Sequence, residues 1–284
     1  MPTFPVIDTH VHLWDTNLLT YPWLNDIPLL NKPYLLADFD AACGPVAVEK
    51  FVFVQADVVA TESLAETNWV TQLAATDKRI AGIVAHAPLE AGTAVRPHLD
   101  TLAQNPLVKG IRRLIQSESD PTFCLQPAFV QAVQMLPDYG FSFDICIVHS
   151  QLASVIKLVA QCPNVSFVLD HIGKPDIKNQ LFEPWKQEIK MLSLFPNVAC
   201  KLSGMVTEAN HANWQPADLQ PYIDHVIRCF GFDRVMFGGD WPVSLLASNY
   251  PRWVETLETA VCDCSHKEKQ KLFYDNAATF YRLK

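Results

Sequence analysis

The sequence lacks the features of an exported, membrane-bound or nucleic-acid-binding protein. No apolar run approaches the roughly 18 residues that a membrane-spanning helix needs. The first five residues (MPTFP) show neither the basic nor the apolar segment of a secretory signal. Lys and Arg form no basic run, and 22 of them against 30 Asp and Glu give a formal net charge of -8. We therefore expect a cytoplasmic protein that binds neither nucleic acid nor a membrane.

Patterns of paired cysteines are also missing. The eight cysteines are scattered along the chain, and none forms a C-x-x-C pair. Because we expect a reducing compartment, we predict free thiols rather than disulfides. The chain has no low-complexity stretch and no linker, and 49% of its residues are hydrophobic, which is enough for a large core. These features predict one domain over residues 1–284.

Eight short apolar stretches rich in β-branched residues recur along the chain. Their starts are separated by about 24 to 44 residues, the length of one strand, one helix and their loops. Their continuous apolar character indicates strands that are buried on both faces, as in a parallel sheet. The predicted strands are 6–12, 50–57, 80–88, 108–115, 141–148, 165–171, 198–205 and 235–240.

Helical patterns fill several of the segments between these strands. Apolar residues at helical spacing predict helices over 63–77, 127–136 and 151–162. Ser265 and Glu268 have the spacing of a capping box and predict the start of the last helix. Eight strand–helix units with right-handed crossovers close most simply into a single-domain (β/α)8 TIM barrel, an α/β fold.

Two histidines stand two residues apart at the end of the first apolar stretch. Side chains i and i+2 of a strand share one face, so His10 and His12 point together toward the strand end. Two imidazoles on one face suit a divalent metal such as zinc. The alternative is one histidine in the core and the other in a loop. Asp240 ends the last predicted strand, and closure of the sheet would bring its carboxylate beside both histidines.

Further polar residues end other strands of the predicted barrel. His149 ends the fifth strand and His171 the sixth, so four histidines and one carboxylate gather at one face. Packing alone does not readily explain such a set. Asp170 either orients an imidazole or points outward under a helix. Arg112 and Arg113 alternate in direction on the fourth strand, so at most one of them faces inward.

One long loop and two more strand ends supply candidate ligand contacts. Gln55 and His86 end the second and third strands, and Asp57 either lines the site or caps the next helix. The segment 14–38 is rich in aromatic residues and proline, and we predict that it forms a wall or lid over the site. Tyr21 and Trp23 in this segment either contact the ligand or pack the loop onto the barrel.

Four stretches of the chain carry a resemblance to a known family. They are VIDTHVH at 6–12, DHIGKP at 170–175, CKLSG at 200–204 and FGGDWP at 237–242. Together they resemble the amidohydrolase superfamily and, more narrowly, the amidohydrolase 2 group that contains sugar-acid lactonases such as L-fucono- and L-rhamnono-lactonase. The resemblance spans nearly the whole chain, and its motifs stand in the expected order.

The resemblance implies a metal site and a general base. It implies that His10, His12, His171 and Asp240 are the ligands and that Asp240 also acts as base toward the hydrolytic water. It places His149 close to the fifth-strand ligand of the superfamily. The implied cofactor is one Zn²⁺, which some lactonases of this group do not require. A second metal is not expected, because the fourth strand carries arginines where binuclear members have a bridging Lys or Glu.

The predicted reaction is hydrolysis of a sugar lactone, a small-molecule substrate, to the aldonic acid. Asp240 takes a proton from water while His10, His12 and His171 polarise the carbonyl, with or without a metal. We expect a monomer or a homodimer. The candidate substrate contacts are the aromatic residues Trp14, Tyr21, Trp23 and Trp241 and the polar residues Gln55, His86, Arg113 and His149.

Three other functions compete with this prediction. A lactonase for dicarboxylates or aromatic acids, of the pyrone-dicarboxylate type, would need several arginines that face the site. Here only two are placed for that: Arg252, and either Arg112 or Arg113. A zinc-dependent decarboxylase of the same superfamily would need a second acid to protonate its carbanion. A ligand-binding barrel without activity would have no need of a general base.

Overall fold

The computed structural model describes residues 2–284 and contains all eight predicted strands. They form one parallel sheet in the order of the sequence, β1 to β8, and helices surround it. The (β/α)8 barrel is therefore confirmed. The strands are β1 Val6–Val11, β2 Val48–Val54, β3 Ile80–Ala85, β4 Val108–Ile111, β5 Ser142–Ile145, β6 Phe167–Leu169, β7 Val198–Leu202 and β8 Val235–Phe237.

The helices agree closely with the sequence patterns. The predicted helices 63–77, 127–136 and 151–162 correspond to the helices Ser63–Thr76, Pro127–Met135 and Leu152–Gln161. None of the helices in residues 2–284 is both long and apolar enough to cross a lipid bilayer. The helices are α1 Leu36–Cys43, α2 Ser63–Thr76, α3 Arg96–Ala103, α4 Pro127–Met135, α5 Leu152–Gln161, α6 Trp185–Ser193, α7 Met205–Glu208, α8 Pro216–Phe230, α9 Tyr250–Ala260, α10 His266–Gln270 and α11 Asn276–Phe280.

The predicted capping box at the last helical segment is present. The Ser265 hydroxyl accepts a hydrogen bond from the Glu268 backbone N–H at 3.3 Å, and the Glu268 carboxylate accepts one from the Ser265 backbone N–H at 2.8 Å. Two of the unpaired N–H groups at the helix start are satisfied in this way. A π-helical turn over Lys271–Asp275 then joins α10 to α11.

The strands are shorter at their carboxyl ends than the apolar runs predict. The run 235–240 gives a strand of only Val235–Phe237, and 165–171 gives only Phe167–Leu169. Residues just beyond the strands have a left-handed backbone, with φ of 58° at Asp57, 53° at His171 and 52° at Asp240. A positive φ ends the extended conformation. These turns direct polar side chains into the end of the barrel.

Two apolar layers hold the barrel together. A large cluster fills the space between the strands and the surrounding helices, and a smaller one occupies the inside of the barrel. The inner cluster includes Val54, Val84, Val168 and Met236 from four different strands, and Tyr281 from the end of the chain. The continuous apolar runs of the sequence follow from this burial on both faces.

The seam between β8 and β1 closes the barrel directly at the site. The Asp240 backbone N–H donates to the His10 carbonyl, and the His12 backbone N–H donates to the Trp241 carbonyl, each at 2.7 Å. The buried Asp8 carboxylate accepts hydrogen bonds from the backbone N–H groups of Gly239 and His10 at 2.8 and 2.9 Å. These bonds fix the last strand against the first.

The Asp8 carboxylate also stabilises α9 against the seam. The Tyr250 hydroxyl donates to its second oxygen at 2.8 Å. A Cβ atom at Gly239 would lie 2.4 Å from that same oxygen. Glycine is therefore required at 239 for the carboxylate to reach the backbone.

We expect Asp8→Ala to destabilise the protein strongly. The change leaves three buried donors without an acceptor, and an unpaired buried donor costs about 1–3 kcal/mol, so the loss should be on the order of 3 kcal/mol. Asp8→Asn is the control, because its amide oxygen still accepts the two backbone bonds and the Tyr250 hydroxyl can turn to accept. Urea unfolding measures both variants. Equal losses for the two would contradict this role of the carboxylate.

Candidate active site

A pocket of about 180 Å³ opens at the carboxyl ends of the strands. Segments after β1, β2, β4, β5, β6, β7 and β8 contribute to its lining, and His12, His171 and Asp240 lie among the lining residues. A wider cleft of about 670 Å³ adjoins it and shares Lys174 and Thr207 with it. The polar strand ends of the sequence therefore meet at one cavity.

Three ligand atoms converge where the seam closes. The Nε2 atoms of His10 and His12 lie 3.2 Å apart. One oxygen of Asp240, Oδ1, lies 3.7 Å from Nε2 of His10 and 3.6 Å from Nε2 of His12. All three residues are buried. The i, i+2 spacing on β1 places the imidazoles together, and the backbone bonds of the seam bring the carboxylate to them.

The neighbours of each ring show which nitrogen of His12 and of His10 carries the proton. His12 Nδ1 lies 2.7 Å from the Val54 carbonyl oxygen, which only accepts, so Nδ1 carries the proton and Nε2 a lone pair. The Arg112 guanidinium lies 3.2 Å from His10 Nε2 and only donates, so this nitrogen also carries a lone pair. Two nitrogen lone pairs and a carboxylate oxygen thus face one point, an arrangement that favours a cation.

His171 is the other tautomer from His12, with the ring proton on Nε2 rather than on Nδ1. The buried Ser203 hydroxyl oxygen accepts from the His171 backbone N–H at 3.3 Å and lies 2.9 Å from His171 Nδ1. Nδ1 is the acceptor available to this hydroxyl, so Ser203 donates to it and Nε2 carries the ring proton. His171 Nε2 lies 3.9 Å from Asp240 Oδ1. His171 therefore presents an N–H group beside the three converging atoms.

The environment fixes the charges of these groups. Burial lowers the pKa values of His10, His12 and His171, so the imidazoles are neutral at neutral pH. Although burial raises it, the pKa of Asp240 lies below its usual value, because the neighbouring His171, His12 and Lys174 stabilise the ionised carboxylate. Neutral imidazoles beside an ionised carboxylate suit both metal binding and general-base catalysis.

The geometry fits one zinc ion. A tetrahedral Zn²⁺ with ligands at roughly 2.0–2.1 Å spaces its ligand atoms about 3.3–3.4 Å apart, close to the distances among His10, His12 and Asp240. A second group, His10, Asp170 and His171, also brings three ligand atoms together. Lys201 holds that group's carboxylate at 2.9 Å. Arg112 competes with a metal for the lone pair of His10 and so lowers the affinity.

A buried ion-pair network supports His10 from below. Asp170 Oδ1 lies 3.4 Å from His10 Nδ1, and its other oxygen lies 3.3 Å from the Arg112 guanidinium. Lys201 Nζ lies 2.9 Å from Asp170 Oδ1 and 2.7 Å from Asp144 Oδ2. Although burial raises it, the charge of Lys201, together with the neighbouring His10 and Arg112, holds the pKa of Asp170 well below its usual range. Asp170 therefore faces inward and orients an imidazole, one of the two alternatives open from the sequence.

The aromatic candidates divide between the pocket and the core. Trp23 lines the pocket, and its indole N–H donates to the Ala56 carbonyl at 2.8 Å. Trp14 and Tyr21 are buried under the loop, and Trp241 is buried in the seam, where its ring centroid lies 5.1 Å from that of Phe39. The lining of the pocket includes none of these three. The expected aromatic wall is thus one indole, and the other rings pack the loop onto the barrel.

The two arginines that follow β4 point in opposite directions. Arg112 is buried and lines the pocket. Arg113, the expected substrate contact, points outward and pairs with Glu90 at 3.0 Å and with Glu118 at 2.6 Å. The alternation of an extended chain makes one of the pair face inward, but it does not say which. The structure thus corrects the choice of Arg113 to Arg112.

Three polar candidates lie beside the pocket rather than in its lining. Gln55 is buried beneath it, where its side-chain oxygen accepts from the Asp57 backbone N–H at 2.7 Å. His86 is half-buried at the end of β3 and does not reach the cavity. His149 lines the wider neighbouring cleft. The conformation of the loops beyond the strands decides where these side chains lie, and the apolar pattern of the strands does not predict that conformation.

Other lining residues were not among the candidate contacts. They include Gln116, Lys174 and Thr207. Asp57, for which lining the site was one of two alternatives, also lines the pocket. Lys174 follows His171 by three residues, and the four residues of this turn all have positive φ. Its ammonium donates to the Gln116 side chain at 2.6 Å. Gln116 lies in a loop and Thr207 in the short helix α7, and neither segment has a periodic apolar pattern.

The comparison with known families decides the family. The sequence model of the amidohydrolase family matches residues 7–283. The chain belongs to the amidohydrolase family. An uncharacterised protein of Sinorhizobium fredii is 31% identical to this amidohydrolase over 300 residues, which cover 100% of both chains. The L-fucono-1,5-lactonase of Burkholderia multivorans is 30% identical over 292 residues, which cover 98% of this chain and 96% of that one.

A solved structure gives the same result for the fold. An amidohydrolase from Burkholderia multivorans with bound zinc superimposes with a TM-score of 0.88 at 29% identity. The match covers 99% of this chain and 100% of that one. The His10, His12 and Asp240 triangle gives this amidohydrolase a set of ligands that suits the same metal.

We expect Gly204→Ala to displace His171. A Cβ atom at Gly204 would lie 2.3 Å from His171 Nδ1, and φ is +59° there. Gly140 is the matched control, because it has φ of +70° and nothing within 4 Å of its Cβ position. Both variants should lose about 1–2 kcal/mol from the left-handed backbone, and Gly204→Ala roughly 1–3 kcal/mol more from the clash. Unfolding curves and a crystal structure of each variant measure these effects. Equal losses of unfolding free energy in the two variants, with the His171 ring unmoved, would contradict the prediction.

A buried carboxyl group next to the pocket gives the stability a pH dependence. Glu66 accepts from the Ala56 backbone N–H at 3.1 Å, and burial raises the pKa of Glu66 to about 8. The folded state therefore holds a proton that the unfolded state releases above its pKa of about 4.5. This contribution to stability is complete below pH 4.5 and is lost as the pH rises to 8.

Glu66→Gln should remove that dependence. We expect the difference in unfolding free energy, variant minus wild type, to grow between pH 5 and pH 8 by on the order of 3 kcal/mol. Urea unfolding at several pH values measures it. A difference that stays constant over this range would show that Glu66 is ionised in the folded protein.

Proposed function

We propose that this amidohydrolase hydrolyses a sugar lactone to the aldonic acid, with Asp240 as the general base. The observation that carries the proposal is the meeting of Asp240 with three neutral imidazoles, those of His12 and His171 in one small pocket and that of buried His10 beside them. Its volume of about 180 Å³ lies below the roughly 300–1,000 Å³ of sites for drug-sized ligands. Such a pocket suits a single small ring.

Asp240 and His171 divide the first chemical step between them. The Asp240 carboxylate takes a proton from water as the water oxygen attacks the lactone carbonyl carbon. Negative charge then develops on the carbonyl oxygen. The Nε2–H of His171, held by Ser203, is a fixed donor for that charge. The product of this step is a tetrahedral carbon with two oxygens beside the ring oxygen.

The ring opens in the second step. The bond from the tetrahedral carbon to the ring oxygen breaks, and protonated Asp240 returns its proton to that oxygen. The ring oxygen becomes a hydroxyl group and the carbonyl carbon becomes a carboxylic acid, which loses its proton to solvent. When bound by His10, His12 and Asp240, Zn²⁺ would supply Lewis-acid polarisation of the carbonyl or of water.

The charges of the pocket support a neutral substrate. The Arg112 guanidinium is already bonded to Asp170 and to the Gln55 carbonyl, and the Lys174 ammonium to Gln116. A dicarboxylate substrate would need free cations for bidentate pairing. The 28–30% identity to two proteins named L-fucono-1,5-lactonase also supports a sugar lactone. The cytoplasmic location and the monomeric or homodimeric state stay predictions.

Proton release from a panel of aldonolactones tests the proposal. We expect the wild type to hydrolyse at least one of the fuconate, rhamnonate, galactonate and xylonate lactones. Asp240→Asn removes the base and should lower kcat by about 10²–10⁴. Activity kept in a chelator shows that the protein groups suffice, and activity lost and restored by zinc makes the metal catalytic. A wild type that hydrolyses no lactone refutes the proposed function.

A further inference from the structure

One carboxylate in the pocket is not used by the proposed reaction. Asp57 lines the pocket that Asp240 and His171 also line. Among residues 2–284, no donor lies within hydrogen-bond distance of its carboxylate, and no cation pairs with it. The charges of Arg112 and Arg113 act on it only from a distance. A carboxylate in a concave site without a partner is available to a ligand.

The backbone does not account for an aspartate at this position. The nearest helical turn, Ala60–Glu62, begins after Val59, and α2 begins after Glu62, so Asp57 caps neither. The expected helix cap is therefore ruled out. Its φ of 58° is a left-handed conformation that glycine and asparagine adopt as readily as aspartate. The need for a left-handed residue thus explains the turn but not the charge.

The loop that carries Asp57 is held rigidly beside an aromatic face. The Trp23 indole donates to the Ala56 carbonyl at 2.8 Å, and the Glu66 carboxyl accepts from the Ala56 N–H at 3.1 Å. The Asp57 N–H itself donates to the Gln55 side chain at 2.7 Å. Neighbouring main-chain bonds therefore fix the carboxylate and the indole relative to each other. A sugar ring can place its C–H groups on an indole and donate its hydroxyl hydrogens to a carboxylate.

The cations of the pocket are engaged, whereas this carboxylate is free. Arg112 bonds to Asp170 and to the Gln55 carbonyl. Lys174 bonds to Gln116 at 2.6 Å and lies 3.9 Å from Glu208. Asp57 thus meets a substrate as an acceptor whose negative charge no cation of the pocket pairs with. Such a group favours O–H donors and repels a second carboxylate.

We propose that Asp57 is a specificity residue that accepts hydrogen bonds from ring hydroxyl groups of a neutral polyhydroxy lactone and excludes lactones that carry a carboxylate. The inference rests on the proposed lactone hydrolysis and adds the residue that selects the substrate. Asp57 takes no part in the proton transfers that Asp240 performs. Its contribution is binding, so it acts on KM more than on kcat.

Asp57→Asn is the decisive variant, because asparagine keeps the shape and tolerates the left-handed backbone. Three substrates separate the possibilities: galactono-1,4-lactone, the unsubstituted δ-valerolactone, and glucaro-1,4-lactone with its free carboxylate. We expect KM for the galactonolactone to rise tenfold or more. The value of kcat/KM for δ-valerolactone should stay within twofold, and that for the glucarolactone should rise. Asp176→Asn, in the neighbouring cleft, is the matched control and should change none of these values.

Two outcomes overturn the proposal. Unchanged kinetics on the galactonolactone would show that Asp57 binds no hydroxyl group. An equal loss on the galactonolactone and δ-valerolactone would show a role in chemistry or folding rather than in recognition. Thermal unfolding of Asp57→Asn, expected within a few degrees of the wild type, separates those two roles.

Binding measurements keep this test independent of turnover. If the wild type hydrolyses none of the lactones, the proposed function fails, and Asp57 is then judged by calorimetry with galactonolactam, in which N–H replaces the ring oxygen. Binding to the wild type that weakens tenfold or more in Asp57→Asn supports hydroxyl recognition. Equal affinity of the two proteins, or no binding to either, overturns it.

Discussion

Closure of the barrel between its last and first strands is the constraint on which the site depends. The residues that converge there come from opposite ends of the chain, and two backbone hydrogen bonds join Asp240 and Trp241 to the histidine strand. Asp8 reinforces the seam by accepting from Gly239. The same bonds that complete the sheet thus set the distance between the carboxylate and the imidazoles. Strain or loosening at the seam would act directly on the chemistry.

Beneath the site, the barrel interior holds a buried network of charged side chains beside its apolar cluster. Lys201 is fully buried between Asp144 and Asp170, and Asp170 in turn faces His10 and Arg112. Burying charges is costly, and such groups persist only when they are paired and hydrogen-bonded. Here the pairing keeps Asp170 ionised and aimed at an imidazole. The network therefore replaces apolar packing at this level of the barrel and fixes the orientation of the His10 imidazole.

The sequence predicts the fold and the centre of the site better than the walls of the pocket. Apolar runs at regular spacing reveal the barrel, and the period of two along β1 pairs His10 with His12. Side chains beyond the strand ends escape prediction, because short-range turns decide where they point. Alternation cannot tell Arg112 from Arg113, and composition cannot tell a buried aromatic such as Trp14 from a pocket wall. For Asp57 the sequence leaves two alternatives, lining the site or capping the next helix, because the left-handed backbone that decides between them has no signal in an apolar pattern.

The central claim is that closure of the seam assembles His10, His12 and Asp240 into one cation site. Locating a bound zinc ion tests this claim most directly. The measurement is anomalous diffraction at the zinc edge from crystals of the wild type soaked in zinc. The claim predicts one strong peak within about 2.0–2.2 Å of Nε2 of both histidines and of an Asp240 oxygen, with Arg112 displaced from His10. A peak at other residues, or none between these three with Arg112 still bonded to His10, would contradict it.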